Sequence, residues 1–338
     1  MPPSFLTRVI LERTSGTALR LSWRKPFAKP VDIDIHQSPF PDFSGEITWK
    51  GKSDGIHPAE MTGLDPDRRY YFKLTLNGES AGVWAERKVS CEGAFNFRDL
   101  GGYGASTGLR TKWGQVFRSD GLANLTERGQ NQFRHMGVSQ VIDLRTLDEV
   151  KASPDKFPDG MPVQYEHLPV RHGEFNFLHA MKRLKSGDAG WLSEAYMVNG
   201  YVNSLVAHGK TWGEAFEKMA LSDGGPVLFH CTGGKDRTGT LAALLLLSLK
   251  VPPETVIEDH QLSNDYIEEM LPFVFERVKS YGLDPEQVRP YFTAPLKGIQ
   301  AVISHIEETF GHVDAYLVDY CGVKPSSLTR LKERLLEK

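Results

Sequence analysis

Through residue 90 the chain alternates apolar and polar positions. TALRLSW, VDIDIHQ, EITWKG and RYYFKLTLNG each change character at nearly every second residue, with turn-forming residues between them. Successive strand side chains point to opposite faces, so this period predicts half-buried β-strands. No helical period interrupts the series, and the expectation for residues 1–90 is a small antiparallel sandwich. Trp23 closes an early strand, where a large ring can fill the space between two sheets. From about residue 91 the pattern changes. Short apolar runs (GQVFRS, SQVIDL, VQYEHLP, PVLFH) alternate with segments of helical period: ANLTERGQNQFRHMG, with Thr126 or Asn124 as cap, then WLSEAYMVNGYVNSLVAHG and TWGEAFEKMALSDGG. That alternation predicts an α/β domain over 91–338, a central and mainly parallel sheet with flanking helices. SSLTRLKERLLEK reads as an amphipathic terminal helix, expected to pack on its own domain, with a coiled-coil partner as the alternative.

Composition narrows the function classes. The 338 residues are 40% hydrophobic and 25% charged, with net charge −3. Residues 1–90 carry 13 basic and 11 acidic side chains, and residues 91–338 carry 27 and 32, so neither half has the basic excess of a nucleic-acid binder. No window is long and apolar enough to span a membrane. The N-terminus lacks the basic and apolar regions of a signal peptide. The expectation is a cytoplasmic protein, with secretion after removal of a leader left open. Cys91, Cys231 and Cys321 form no even disulfide framework and no zinc spacing, and no metal or other cofactor is expected.

One short loop concentrates chemistry. HCTGGKDRTG (230–239) lies between the apolar runs PVLFH and TLAALLLLSL, a strand–turn–helix junction. Gly233 and Gly234 permit a tight turn. Its inward N–H groups would form an anion nest at the positive end of the next helix. Thr232, Gly233, Gly234, Lys235 and Thr238 are candidate phosphate-binding residues. Arg237 adds two parallel donors suited to a tetrahedral oxyanion. Cys231 at the floor of that nest would be favoured as a thiolate and could attack the phosphorus it faces. His230 is expected to hold the loop through its ring, and Thr238 to donate toward the sulfur. A nucleotide loop of the G-x-x-x-x-G-K-[ST] type is not met, because Asp236 follows Lys235. A sulfur-transfer or arsenate-reducing loop could also place a cysteine over an anion nest, but neither explains the whole string.

HCTGGKDRTG resembles the C-x5-R signature of cysteine-dependent phosphatases, and more narrowly the bacterial and fungal branch that includes mycobacterial secreted tyrosine phosphatases. FNFRDLGGY (95–103), VFRSDGL (116–122), VIDLRTLDEV (141–150) and EDHQLSND (258–265) are similar to that branch as well. The resemblance implies a tyrosine-phosphatase-like fold and hydrolysis through a phosphocysteine. Asn96, Arg98 and Asp99 would buttress the site, and Arg145 and Glu149 would lie at a strand's carboxyl end, with a structural salt bridge as the alternative for both pairs. The first ninety residues resemble a fibronectin type III module instead. There Leu64-Asp65-Pro66 followed by Tyr70-Tyr71-Phe72 has the spacing in which a tyrosine hydroxyl ties back to the upstream backbone. That module would serve placement or contact with a partner protein.

The general acid is where the chain departs from the branch. An aspartate is expected on a mobile loop after a leucine-proline, but HLPVRHGEF (167–175) has His172 near that place and Glu174 downstream. Asp236 has a counterpart in the myotubularin-type phosphoinositide phosphatases, where the residue before the arginine is assigned the acid role. Asp236 is therefore the expected acid, with a raised pKa, and His172 and Glu174 are the alternatives. A salt bridge or a helix N-terminal charge is its competing role. The expected substrate is phosphotyrosine on a protein, or a phosphoinositide. A phosphatase specific for inositol polyphosphates or phosphoinositides, and a non-catalytic phosphate-recognition module, are the other readings.

Overall fold

A computed structural model describes residues 9–23, 28–44, 49–172, 182–188, 190–222 and 224–338, with the backbone alone at 49, 50 and 287. Glu174 lies outside the described residues. The N-terminal strands β1 (Val9–Ser15), β2 (Ala18–Trp23), β3 (Ile33–Ser38), β4 (Trp49–Ser53), β5 (Ala59–Thr62), β6 (Tyr71–Leu76) and β7 (Glu79–Ala85) form two antiparallel sheets, ordered β1-β2-β5 and β4-β3-β6-β7. The alternation in sequence is the alternation of faces: Leu19 and Leu21 are buried while Arg20 between them is exposed. Trp23 is buried in the same core. The Tyr70 hydroxyl accepts the Asp65 N–H at 3.1 Å, pinning the corner before β6.

The C-terminal part begins with β8 (Arg98–Asp99), β9 (Arg110–Thr111), β10 (Val116–Ser119), α1 (Glu127–His135), β11 (Gln140–Asp143), α2 (Leu147–Ala152) and β12 (Gln164–His167). It continues through α3 (Glu194–Ala207), α4 (Gly209–Leu221), β13 (Val227–His230), α5 (Asp236–Ser248), α6 (Pro253–Ile267), α7 (Leu271–Ser280), α8 (Pro285–Phe292), α9 (Leu296–Phe310) and α10 (Pro325–Leu335). The central sheet is ordered β12-β11-β13-β10-β8, with the first four strands parallel and β8 antiparallel at the edge. β13 is at its centre and wholly buried, which is why its sequence is a continuous apolar run rather than an alternating one. α5 behind it buries Leu241, Leu244, Leu245 and Leu246. Each such leucine stabilises by about 1.5–3 kcal/mol, so the helix is held by packing. Thr126, one of the two expected caps, accepts the Gly129 N–H at 3.1 Å. The terminal helix α10 buries Leu328, Leu331 and Leu335 in its own domain's core, and residues Leu336–Glu337 pair antiparallel with β9.

The two halves meet along a polar, buried seam. Arg69, just before β6, donates to Asp99 Oδ2 at 2.9 Å and to the Glu86 carbonyl at 2.8 Å. Asp99 also accepts the N–H groups of Gly101 and Gly114 at 2.7 and 2.8 Å. Asp99, expected to buttress the active site, thus stands at the junction with the sandwich. Tyr71, Ala85 and Trp113 share one small core across the seam. The segment after β7 packs with the second half: Val89 donates to the Phe97 carbonyl, and Val89 and Cys91 are buried in its core.

Candidate active site

The loop from Cys231 to Lys235 joins the carboxyl end of β13 to the N-terminus of α5, where open α/β sheets bind ligands. Only one of its glycines is conformationally required. Gly234 has φ +66°, and a Cβ there would approach the backbone of Ser119 and Asp120 to 2.6 Å. Gly233 has neither restriction. The loop's carbonyls are tied back by neighbours: Asn96 Nδ2 donates to Gly233 O at 3.0 Å, Arg118 Nη2 to Gly234 O at 2.8 Å, and the Gly121 N–H to Thr232 O at 3.1 Å. Among the described residues, no backbone N–H from Thr232 to Lys235 donates to a protein acceptor. With the carbonyls engaged and these N–H groups not, the loop meets the requirement of an anion nest.

Two of the side chains around these carbonyls are themselves fixed by carboxylates, Arg118 by Asp259 and Asn96 by Asp120. Asp259 on α6 accepts from Arg98 Nε at 3.1 Å, Arg118 Nη1 at 2.6 Å and the Tyr103 hydroxyl at 2.8 Å. Arg98 in turn hydrogen-bonds the Asn96 side chain, and Asp120 accepts the N–H of Asn96 at 3.0 Å. Burial opposes the charge on Asp259, but Arg98 and Arg118 hold its carboxyl well below the usual range. Asn96 thus touches the loop itself, and Arg98 reaches it only through Asn96 and through Asp259.

Cys231 is only 2% exposed, at the base of the nest. Arg237 is clamped by Glu149 in a two-point pair, with both N–O distances 2.7 Å. Glu149 is fixed in its turn: it closes a capping box with Thr146 at the start of α2 and accepts the Thr232 hydroxyl at 2.5 Å. Burial pushes its carboxyl up, and the Arg237 pair and these donors outweigh that, leaving it at about 2. Burial likewise opposes the Arg237 charge, and Cys231 and Glu149 overcome it. The Thr238 hydroxyl is buried without a hydrogen-bond partner, so the expected bond to the sulfur is not made.

Arg145 does not pair with Glu149. It meets Asp143 and Asp155 at 2.7 and 2.6 Å. Asp143, Asp155 and His230 bring metal-type ligand atoms within 4.8 Å of one another, but the Arg145 guanidinium already supplies the cation there. His230 places Nε2 3.2 Å from Asp155 and Nδ1 3.3 Å from the Cys231 carbonyl, so its ring links the loop's first residue to this cluster.

Asp236, the first residue of α5, differs from expectation in its ionisation. Its Oδ1 accepts the Tyr201 hydroxyl at 2.6 Å and its Oδ2 accepts Lys235 Nζ at 2.7 Å. Burial alone would raise its pKa, but Lys235, His172 and Tyr201 hold the carboxyl well below the usual range. The resting group is a carboxylate. His172 stands edge-on to Tyr201 with ring centroids 4.8 Å apart, and burial, helped by Lys235 and Arg237, lowers it to about 4. Its imidazole is neutral at neutral pH and has no imidazolium proton to give. Tyr291 on α8 borders the loop, its ring centroid 5.8 Å from Lys235 Nζ.

The sequence profile described as "Tyrosine phosphatase family" matches residues 89–337. The chain belongs to the tyrosine phosphatase family. It is a phosphatase. Among similar proteins, "Triple specificity protein phosphatase PtpB" of Mycobacterium tuberculosis is 29% identical over 273 residues, 72% of this chain and 97% of that protein. A "Tyrosine-protein phosphatase" of Nostoc commune is 29% identical over 226 residues, 64% of this chain and 73% of that one. The crystal structure of P. aeruginosa TpbA is 17% identical, with a TM-score of 0.25 over 54% of this chain and 89% of that chain. No described helix is long and apolar enough to cross a membrane.

Five side chains around the loop escape sequence reasoning: Arg118, Asp259, Tyr201, His260 and Tyr291. A charge inside the apolar run VFRS is a visible anomaly for Arg118, since an arginine in a central strand has to be paired. Asp259 and His260 stand in EDHQLSND with no local reason for their burial, and Tyr201 is indistinguishable from the other residues of its helix.

Proposed function

We propose that this phosphatase hydrolyses phosphomonoesters through a phosphocysteine formed on Cys231, with phosphotyrosine as principal substrate. The observation that carries the reading is the division of labour in the loop. Asn96, Arg118 and Gly121 take its carbonyls, which leaves its N–H groups for an anion at Cys231, while Glu149 fixes the Arg237 guanidinium beside them. Donors fixed before the reaction stabilise developing charge without reorganising, usually the largest contribution to such catalysis. The thiolate attacks phosphorus, the S–P bond forms as the P–O bond breaks, and the leaving oxygen takes a proton. Water then attacks phosphorus, loses a proton to a base, and releases thiolate and inorganic phosphate.

Asp236 is the proposed carrier of both protons. Its ionised resting state suits the second half, in which a carboxylate accepts the proton of water. For the first half the proton arrives with the substrate: a phosphate monoanion beside a carboxylate holds the same protons as a dianion beside the acid. The second phosphate pKa is about 6, so kcat/KM should fall as pH rises through that value.

The aromatic ring of Tyr291 beside Lys235 favours an aryl phosphate, and a second phosphate on an inositol ring would share the Lys235 ammonium with Asp236 Oδ2, 2.7 Å from it. The name of the mycobacterial relative, which states triple specificity, supports keeping phosphoinositides as a second substrate class. The sandwich is proposed to be fibronectin type III-like, supported by the Tyr70 corner and its three- and four-stranded sheets, and to place the phosphatase against a partner protein. Parallel turnover of phosphotyrosine peptides, phosphoinositides and inositol polyphosphates tests the assignment, with Cys231→Ser as control. The variant should lose turnover and keep phosphate binding, because an alcohol is a far weaker nucleophile in the same nest. Turnover close to that of the native enzyme would refute the phosphocysteine.

A further inference from the structure

A chain of side chains runs from α6 to Asp236. The Asn264 Oδ1 accepts the backbone N–H of Ala294 at 2.7 Å, so its amide nitrogen faces Gln261 and donates to Gln261 Oε1 at 3.2 Å. The Gln261 nitrogen then points the other way, giving one hydrogen to the Ala294 carbonyl at 3.2 Å and the other to His260 Nδ1 at 3.1 Å. An imidazole that accepts at Nδ1 carries its proton at Nε2. His260 Nε2 is 3.0 Å from the Tyr201 hydroxyl oxygen, and that hydroxyl is 2.6 Å from Asp236 Oδ1. Each link has one direction: Gln261 donates to His260, His260 to Tyr201, and Tyr201 to Asp236.

Other features agree with that direction. Burial lowers His260 to about 3, so it is a neutral ring with a single N–H to give. Burial first, and then Asp236, raise Tyr201 well above the usual phenol range, so its proton stays on the oxygen. The Tyr201 ring is completely buried, with the edge of His172 on one side and α9 on another. Gly298 on α9 makes the room: a Cβ there would come within 2.7 Å of the ring. The groups facing Asp236 are thus Lys235 from the loop, Tyr201 from α3, and His172 from the segment after β12, with His260 of α6 beyond Tyr201.

We infer that Tyr201, oriented by His260 and Gln261, is a positioning residue for the hydrolytic half of the reaction, holding Asp236 Oδ1 from behind so that the carboxylate is presented as a base to the water that attacks the phosphocysteine. The inference rests on the role proposed above for Asp236. Tyr201 touches neither substrate nor phosphorus and exchanges no proton in the cycle. Water gives its proton to Asp236, the S–P bond breaks, and the pair on sulfur returns as thiolate.

Rapid mixing with p-nitrophenyl phosphate separates this role from a structural one. Nitrophenolate leaves without help from an acid, so the first half stays fast and the second limits turnover. Asp236→Asn should give a burst of one nitrophenolate per active site followed by steady turnover about a hundredfold slower or more, within the range of general base catalysis. Tyr201→Phe should keep the full burst and slow the steady phase by about tenfold or more, since hydrogen bonds to charged groups are among the stronger ones. His260→Ala should act in the same direction and more weakly. Adding Tyr201→Phe to Asp236→Asn should cost nothing further. A thermal melt of each variant confirms that it is folded. A reduced burst with unchanged turnover per competent site, or an additive double variant, would overturn the inference while leaving Asp236 as base. A full-speed steady phase in Asp236→Asn would overturn the role of Asp236 and the inference with it.

Discussion

Glu149 shows how much of this site is decided by a residue that fixes its neighbours. Both terminal nitrogens of Arg237 meet Glu149 oxygens at 2.7 Å, with the Leu144 and Val170 carbonyls and the Thr232 hydroxyl at 3.4 Å, so Glu149 fixes where the guanidinium stands beside the loop. Glu149→Gln keeps the shape, removes the charge and turns one acceptor into a donor facing a donor. KM for aryl phosphates should rise by about tenfold to a hundredfold, the scale of a hydrogen bond to a charged group, with kcat falling as well. The carboxyl lies at about 2 in the folded protein, depressed from its ordinary value, so its stabilising contribution is complete above the unfolded pKa and is lost only as pH falls toward 2. Steady-state assays between pH 5 and 8 should therefore show no titration from this pair. Asp236 teaches the reverse lesson. The sequence suggested a carboxyl with a raised pKa beside phosphate, and it could not show that Lys235 and the distant Tyr201 would each occupy one of its oxygens.

At the scale of elements, the loop is a product of three supports: β10 with Arg118, the turn before β8 with Asn96, and α6 with Asp259. Arg98, Arg118 and Asp259 are all essentially fully buried. Removing the charge of Asp259 leaves two buried guanidinium groups without their partner. Asp259→Asn should cost about 3–5 kcal/mol of stability, read as a lowered Tm, with phosphate affinity lost in parallel. His230 adds a pH dependence at the other side of the loop. Burial opposes its charge, yet Asp155 and Asp143 raise its pKa above the ordinary 6.5. A raised folded pKa contributes stability that is complete below 6.5 and disappears as pH rises through the folded value. The native Tm should fall on going from pH 6 to pH 9, and His230→Gln should flatten that slope. These elements were largely legible in advance. The apolar run PVLFH and the glycine pair announce a strand and a turn, and the alternating segments of residues 1–90 announce the sandwich. The supports were not legible, because Asp259 and Tyr201 reach the loop across more than twenty and thirty residues of chain, respectively, and only packing brings them together.

For the whole molecule, the seam between the halves is a buried ionic junction. Asp99 belongs to the motif FNFRDLGGY, which would suggest support of the active site, but its carboxylate pairs with Arg69 of the sandwich, 2.9 Å away and 7% exposed. Arg69→Met should destabilise the phosphatase half as well as the junction, lowering its Tm while kcat on p-nitrophenyl phosphate per folded molecule stays within about twofold. A protein beginning near residue 91 would lack Val89 from its core and Arg69 from Asp99, so it should express as unstable material, whereas one beginning at residue 1 should not. Full stability of the shorter protein would show that the seam is dispensable. Trp113 gives this junction an optical readout. Its indole lies in the shared core with Tyr71, with the guanidinium groups of Arg69 and Arg87 at 5.9 and 4.5 Å from its ring. Parting the halves would take the sandwich's own side chains off that ring and admit water to it, so the emission of Trp113 should shift to longer wavelength at the moment the halves separate, before either loses its own fold.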